Sequence, residues 1–450
     1  MNAIPLGAAE LQAFIRPFLE RRERYLEAWR KHGSPLYLID ERALRERAAR
    51  FLGVFGAALG GGSGAPATRE TRPPRGSGAP RESPATPAPG SREARIRTFY
   101  ALKSNSHPDI ARILVGCGIG LDVSSGRELS AALAGGASRI VFSGPGKTAE
   151  ELALALEHAG RVTLFIDSFG ELERLIRAAR EGGRTLRAGV RLTSDERGLW
   201  RKFGIPLDRL GEFVAAAAAA PHVQLRGLQF HTSWNLDSAA QVAFLARLGR
   251  ALGGLPEFAR ALEFIDIGGG YWPEAGEWLH SPDGATVSPE RGVAQTALVH
   301  YRRPAASLET FAAHIAQAVR IHIEPHANVE VWLEPGRWLC HDGLHLLLQV
   351  IDVKAPDLVV TDAGTNAVGW ERFETDYFPV LNLSRPAFTE HACFVLGSLC
   401  TPHDVWGYSY WGSGIAAGDI LLIPAQGAYT YGLRQEFIKP LPRSAALAAD

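Results

Sequence analysis

From residue 98 onward the apolar positions fall into short, nearly continuous runs separated by helical stretches. The runs are "TFYAL", "GIGLDV", "RIVFSG", "VTLFID", "RAGVRL", "LRGLQFH", "FIDIGGG" and "VEVWLEP". Each is apolar at most positions, which predicts strands buried on both faces, as in a parallel sheet. Helices are expected at Ala149–Gly160, Phe169–Glu181, Leu207–Ala220, Ala239–Leu252 and Leu308–His322. The run Ala215–Ala220 has the highest helix propensity of all. Strands mostly alternating with helices predict an α/β fold, a (β/α)8 TIM-like barrel. An open doubly wound sheet is the competing architecture. Its dinucleotide-binding form needs G-x-G-x-x-G after the first strand, and that pattern is missing.

The pattern changes near Cys340. "GLHLLLQVIDVKA", "DLVVTDAG", "HACFVLGSLC" and "GDILLIPAQGAYTYG" read as strands broken by Gly, Pro and Asp turns, with little helix signal. The expected division is a barrel over 37–340, an all-β domain over 341–450, and a segment 1–36 packing with the β-domain. Upstream, "PLYLID" is strand-like and "ERALRERAARFLGVF" helical. Ala58–Glu93 is rich in Gly, Pro, Ser and Ala and has no large apolar residue after Leu59, so it reads as a disordered insertion. Ala275–Pro304 carries no clear period and reads as a second insertion, a lid or surface excursion.

A chain of 450 residues can bury a large core. Its 48 Lys+Arg balance 48 Asp+Glu, so no global field exists to recruit nucleic acid or an anionic membrane. No apolar run approaches the roughly 20 residues of a membrane helix. The N-terminus has early acids and no apolar h-region, unlike a signal peptide. The 4 cysteines lack a C-x-x-C pair, which suits reduced thiols in a cytoplasm. His322/His326 and His341/His345 have H-x-x-x-H spacing, but Pro325 interrupts one pair and a strand-like stretch holds the other. No metal is expected.

In a parallel barrel the chemistry lies at the C-terminal ends of the strands. Those ends carry Lys103, Asp122–Ser125, Ser143–Gly146, Asp167, Arg191, His231–Asn235, Gly268–Gly270 and Glu334–Arg337. Singly, each has an ordinary reading: a solvated lysine, a core histidine, a glycine turn, a helix start. Together they offer an amine for carbonyl chemistry, which must be partly deprotonated by burial or a nearby cation. They also offer a glycine run that a phosphate can approach. Glu334 supplies an anion for a ring nitrogen, and His231 a flat face or proton donor. These are the requirements of pyridoxal 5'-phosphate.

The chain resembles the fold-type III pyridoxal-phosphate decarboxylases, which include diaminopimelate, ornithine and arginine decarboxylases. The resemblance rests on "YALKSN", "GLDVSSGREL", "FSGPGKT", "RKFGI", "FH" at 230–231, "IDIGGG", "EPGRW", "DAG" at 362–364, "LCTPHD" and "GAYT". It implies an eight-fold barrel plus an alanine racemase-like β-barrel domain, and a head-to-tail homodimer whose sites borrow loops across the interface. It further implies that Lys103 bears the cofactor, Glu334 pairs with the pyridine nitrogen and His231 stacks on the ring. Gly268, Gly269, Gly270, Gly336, Arg337 and Tyr429 hold the phosphate, while Asp122, Glu128 and Arg191 order the lysine and histidine. Cys400, from the partner subunit, is the proton donor.

The chain also departs from the family. In diaminopimelate decarboxylases an arginine and an acid grip the distal carboxylate and amine; Trp370 and Thr401 stand in those places. Ornithine decarboxylases also carry an acid where Thr401 stands. Asp362 remains and can meet a substrate amine. Trp234 replaces a small residue, leaving Ser233 to take over a phosphate contact, and Trp272 adds a further ring. The expected activity is decarboxylation of a small-molecule amino acid, free, conjugated or carrier-bound, that is neither diaminopimelate nor ornithine. Alternatives are a racemase or epimerase on the same scaffold, or an inactive cofactor-binding regulator. An acid at 334 makes the ring a strong electron sink and favours loss of CO2 over racemisation.

Overall fold

The computed structural model describes residues 3–60, 96–282, 298–369 and 376–447. The Ala58–Glu93 insertion beyond Gly60, residues 283–297 of the second insertion, and Trp370 lie outside the described residues.

Eight parallel strands close into a barrel: β1 (Ile96–Ala101), β2 (Gly120–Val123), β3 (Ile140–Phe142), β4 (Val162–Ile166), β5 (Leu186–Leu192), β6 (Val223–Phe230), β7 (Phe264–Asp266) and β8 (Glu330–Leu333). β8 pairs with both β7 and β1. Each strand coincides with one of the apolar runs. The helix expected over Leu207–Ala220 begins as a 3-10 turn and is α-helical over Leu210–Ala218. Pro221 disfavours helical backbone at the residue before it, so the alanine run cannot carry the helix further.

The strand period of two sorts the barrel interior into layers. Phe99, Val141, Phe165, Phe264 and Trp332 form one apolar cluster, with Phe264 stacked on Trp332 at 3.7 Å. These rings fit because neighbouring strands carry glycine at the same level. A Cβ on Gly227 would stand 2.0 Å from the Phe264 ring, and one on Gly189 2.7 Å from Phe165. Two residues further along each strand, on the same face, the side chains turn small or polar: Ala101, Asp122, Ser143, Asp167, Arg191, Gln229, Asp266 and Glu334. An aromatic plug thus closes one end and supports a polar floor at the other.

The C-terminal strands form an eight-stranded mixed sheet in which Leu344–Ala355 also pairs with Leu358–Thr361. This extra pairing joins six of the strands into a ring. Val405–Trp411, wholly buried, is a strand that the hydrophobic pattern did not single out. Leu36–Ile39, placed by sequence at the start of the barrel domain, belongs instead to this sheet. It pairs with Leu344–Ala355 and Arg443–Ala446. Helices Ala8–Glu20 and Arg22–His32 bury Leu11, Ile15, Tyr25 and Leu26 in a cluster with Leu347, Leu381 and Leu422 of the same sheet. The described ends of the second insertion are not irregular: Glu277–Leu279 and Tyr301–Arg303 pair with each other, and the latter with Ile4–Pro5. No described helix is long and apolar enough to cross a membrane.

Candidate active site

A cavity of about 840 Å³ opens over the polar floor, at the C-terminal ends of the barrel strands. Lys103 enters it from the 3-10 turn Leu102–Ser104 that follows β1. Its Nζ donates to Asp122 Oδ2 at 3.0 Å, and about a third (35%) of its side chain stays open to the cavity. Asp122 is fully buried, and its other oxygen accepts from Ser143 Oγ at 2.5 Å. Burial alone would push the Lys103 ammonium down. The negative charges of Asp122 and Glu334 outweigh it and hold the amine above its ordinary range. The expected partly deprotonated amine is therefore not what this cluster favours: acids, not cations, face the lysine.

His231 follows β6. Its Nδ1 accepts from the Gly269 N–H at 3.2 Å, which assigns the ring proton to Nε2. Burial, with Lys103 and Arg191 as like charges, drives its imidazole well below its usual range, so the ring is neutral. Arg191 donates from Nη1 to the Ser143 carbonyl at 2.9 Å and lies 4.5 Å over the Phe203 ring. Glu128 accepts from the Ser124 N–H at 2.7 Å and does not touch Lys103, which it influences only through charge.

Glu334 is buried below His231, with its Oε2 3.8 Å from the imidazole and 3.4 Å from Gln229 Nε2. Its Oε1 is buried with no hydrogen-bond partner. A buried acceptor left unmet beside a lysine fits a ring N–H, as a pyridinium supplies. Gly268 and Gly270 take left-handed φ of 71° and 83°. A Cβ at Gly270 would meet the Thr232 carbonyl at 2.4 Å, and one at Gly269 the Glu334 carbonyl at 2.0 Å. Only glycine lets this turn lie so close to the loop after β6. Asn235 fixes the loop, donating from Nδ2 to the Gly269 carbonyl at 2.9 Å. Arg337 lies 4.2 Å over Trp272 and 5.0 Å over Tyr429. The Tyr429 N–H bonds the Ser104 carbonyl at 2.7 Å, tying that ring to the Lys103 turn. Ser233, Trp234, Gly270, Gly336, Arg337 and Tyr429 all line the cavity.

Of the glycine run only Gly270 is part of the lining, with Gly268 and Gly269 behind it, and the expected β-domain residues Asp362, Cys400 and Thr401 lie outside it in this chain, Cys400 having been expected from the partner subunit. Asp362 accepts from the Gln349 N–H at 3.0 Å within the β-domain and lies outside the cavity lining. Cys400 and Thr401 also lie outside it, and Cys400 is exposed. Their loop is held by Asp404, whose carboxylate accepts from the Leu399 N–H (2.7 Å) and the Thr365 N–H (2.6 Å). Other lining residues were not named as site residues from sequence: Gln229, Trp200, Lys202, Phe203 and Asp376 among them. Gln229 stands two residues past Gly227, so the strand period was the signal for it. Among the described residues no group of three or more metal-ligating side chains gathers.

Comparison with known proteins agrees with this geometry. Residues 90–341 match the family described as pyridoxal-dependent decarboxylase, pyridoxal binding domain. The chain is 26% identical over 348 residues to diaminopimelate decarboxylase of Haemophilus influenzae, covering 73% of this chain and 76% of that one. It is also 26% identical over 369 residues to 2-[(L-alanin-3-ylcarbamoyl)methyl]-2-hydroxybutanedioate decarboxylase of Staphylococcus aureus, covering 76% and 84%. Among solved structures, diaminopimelate decarboxylase from M. jannaschii in complex with L-lysine shares the fold. Its TM-score is 0.73 at 21% identity, covering 94% of this chain and 89% of that one. The chain belongs to the fold-type III pyridoxal-phosphate-dependent decarboxylases.

Proposed function

We propose that this decarboxylase acts on an amino acid that is neither diaminopimelate nor ornithine, and whose side chain runs along Trp234 and Trp272. Pyridoxal phosphate is the cofactor. When bound it supplies the electron sink that accepts the electron pair left by departing CO2. In this reading Lys103 holds the cofactor and Glu334 Oε1 accepts from its ring nitrogen. His231 supports one face of the ring. Gly268–Gly270, Ser233, Gly336, Arg337 and Tyr429 enclose the phosphate. Cys400 of the partner subunit delivers the proton that replaces CO2, its thiol acting as the general acid.

Trp234 carries the substrate reading. Its backbone is left-handed (φ 57°), and its side chain leaves the residue 65% exposed at the cavity mouth, 5.6 Å from the Trp272 ring. That conformation costs an L-residue about 1–2 kcal/mol, and an exposed indole recovers little of it by burial. A ligand lying against the two rings would. The name of the Staphylococcus aureus relative denotes a substrate in which alanine is extended through a carbamoyl link, which supports a conjugated substrate here. A screen of free L- and D-amino acids and amide-linked conjugates for CO2 release tests this. Turnover of an extended or conjugated amino acid, with little on diaminopimelate or ornithine, is expected. Efficient turnover of either of those two refutes the reading.

A further inference from the structure

The strand period that builds the aromatic plug also sets the layer beneath it, at the N-terminal end of the barrel and away from the active-site cavity. Arg97 stands two residues before Phe99, Arg139 two before Val141, and Arg187 two before Gly189. Arg161 stands two before Thr163, which is itself two before Phe165. All four arginines line a second cavity of about 150 Å³, together with Thr163 and Trp332. No acid is among its described lining residues. Arg97 holds Glu330 at 2.7 and 2.9 Å. Arg187 holds Glu263 at 2.7 Å, and Arg226 shares that acid at 3.5 Å. Arg139 donates to the Gly118 carbonyl, and Arg161 lies 3.4 Å from His158 Nδ1; neither has a carboxylate partner among the described residues. The four lining guanidiniums thus have two carboxylates between them, an excess of two positive charges. In each of the four, Nη1 makes no hydrogen bond among the described residues. The Thr163 hydroxyl has no partner there either, although the residue is only 8% exposed.

We propose that this cavity is a second binding site, for a compact oxyanion of more than one negative charge, a phosphate group. Arginine keeps its charge at any physiological pH, so an anion, not proton loss, is what relieves the excess. The planar fork of a guanidinium matches phosphate oxygens, and such charge-assisted bonds are the strong ones. A phosphate would take the free donors of Arg139 and Arg161 and the Thr163 hydroxyl. Arg97 and Arg187 complete the positive wall. Arg187 is held in place by its acid and by the plug, 4.8 Å over Phe264 and 5.2 Å over Trp332. The same plug separates this cavity from the one above Lys103, so the protein can hold its cofactor and this anion together.

The test titrates inorganic phosphate into the pyridoxal phosphate-loaded protein, with ionic strength held constant by chloride, and reads calorimetric heat and the thermal unfolding midpoint. One saturable site per chain is expected, with a midpoint that rises with phosphate. Arg139→Gln combined with Arg161→Gln should weaken binding roughly tenfold or more, the loss of hydrogen bonds to a charged group. Thr163→Val keeps all four charges and should weaken it several-fold. Arg112→Gln removes an exposed arginine outside the cavity, on helix Pro108–Gly116, and should leave binding unchanged. Unfolding midpoints without phosphate check that each variant folds. The proposal is overturned if native protein shows no saturable binding at millimolar phosphate, if the double variant binds like native, or if Arg112→Gln weakens binding as much as the double variant does. Loss of the bound cofactor's absorbance in step with the heat would also overturn it, since the anion would then be entering the active site.

Discussion

Replacing Asp122 with asparagine removes the carboxylate 3.0 Å from Lys103 Nζ while keeping the shape of the side chain. The attraction lost can be bounded by Coulomb's law. At 3.0 Å it is about 1.4 kcal/mol with the dielectric of water and about 5.5 kcal/mol at an effective value near 20. The amine keeps a third of its side chain open to the cavity, so the lower part of that range applies. At roughly 1.4 kcal/mol per pH unit, the Lys103 amine of Asp122→Asn should lose its proton at least about one unit lower than native. Glu334 and Tyr429 still hold it up in part. The assay is the rate at which cofactor-free protein captures pyridoxal phosphate as a function of pH, followed by absorbance. Capture needs the free amine, so the midpoint of the rise reports its titration. A midpoint unmoved, or moved upward, would refute the claim that Asp122 governs the charge of Lys103.

Trp234→Gly removes left-handed strain of about 1–2 kcal/mol and adds unfolded-chain entropy of about 0.4–1 kcal/mol. Its unfolding free energy should change little, while kcat/KM for the substrate found by the screen drops roughly tenfold or more. A large loss of stability would show that the ring packs the rim instead. Glu171→Ala strands Lys147, its partner at 2.9 Å with both side chains 1% exposed, and should cost about 3–5 kcal/mol in denaturant unfolding. The double change Lys147→Met with Glu171→Leu should recover most of it. Gly227→Ala drives a methyl into the Phe264 ring, which is stacked on Trp332 and cannot retreat. A loss of about 1–3 kcal/mol is expected, read as a lower unfolding midpoint.

The barrel was legible because its strands are buried on both faces, so each announces itself as an apolar run without help from its neighbours. Lys103, Asp122, His231 and Glu334 were legible for the related reason that each closes such a run. The membership of Leu36–Ile39 was not, since a strand's partner lies hundreds of residues away and four buried residues suit either sheet. Asp362, Cys400 and Thr401 lie on the β-domain outside the cavity lining. The motif around them specifies the turn that Asp404 organises, not the cavity it serves.

The account depends above all on Lys103 being the residue that carries the cofactor. Reducing the pyridoxal phosphate-loaded protein with borohydride and mapping the modified peptide by mass spectrometry tests this directly. The pyridoxyl group should be found on Lys103 and be lost in Lys103→Ala. Finding it on another lysine, such as Lys147 or Lys202, or on none, would contradict the account.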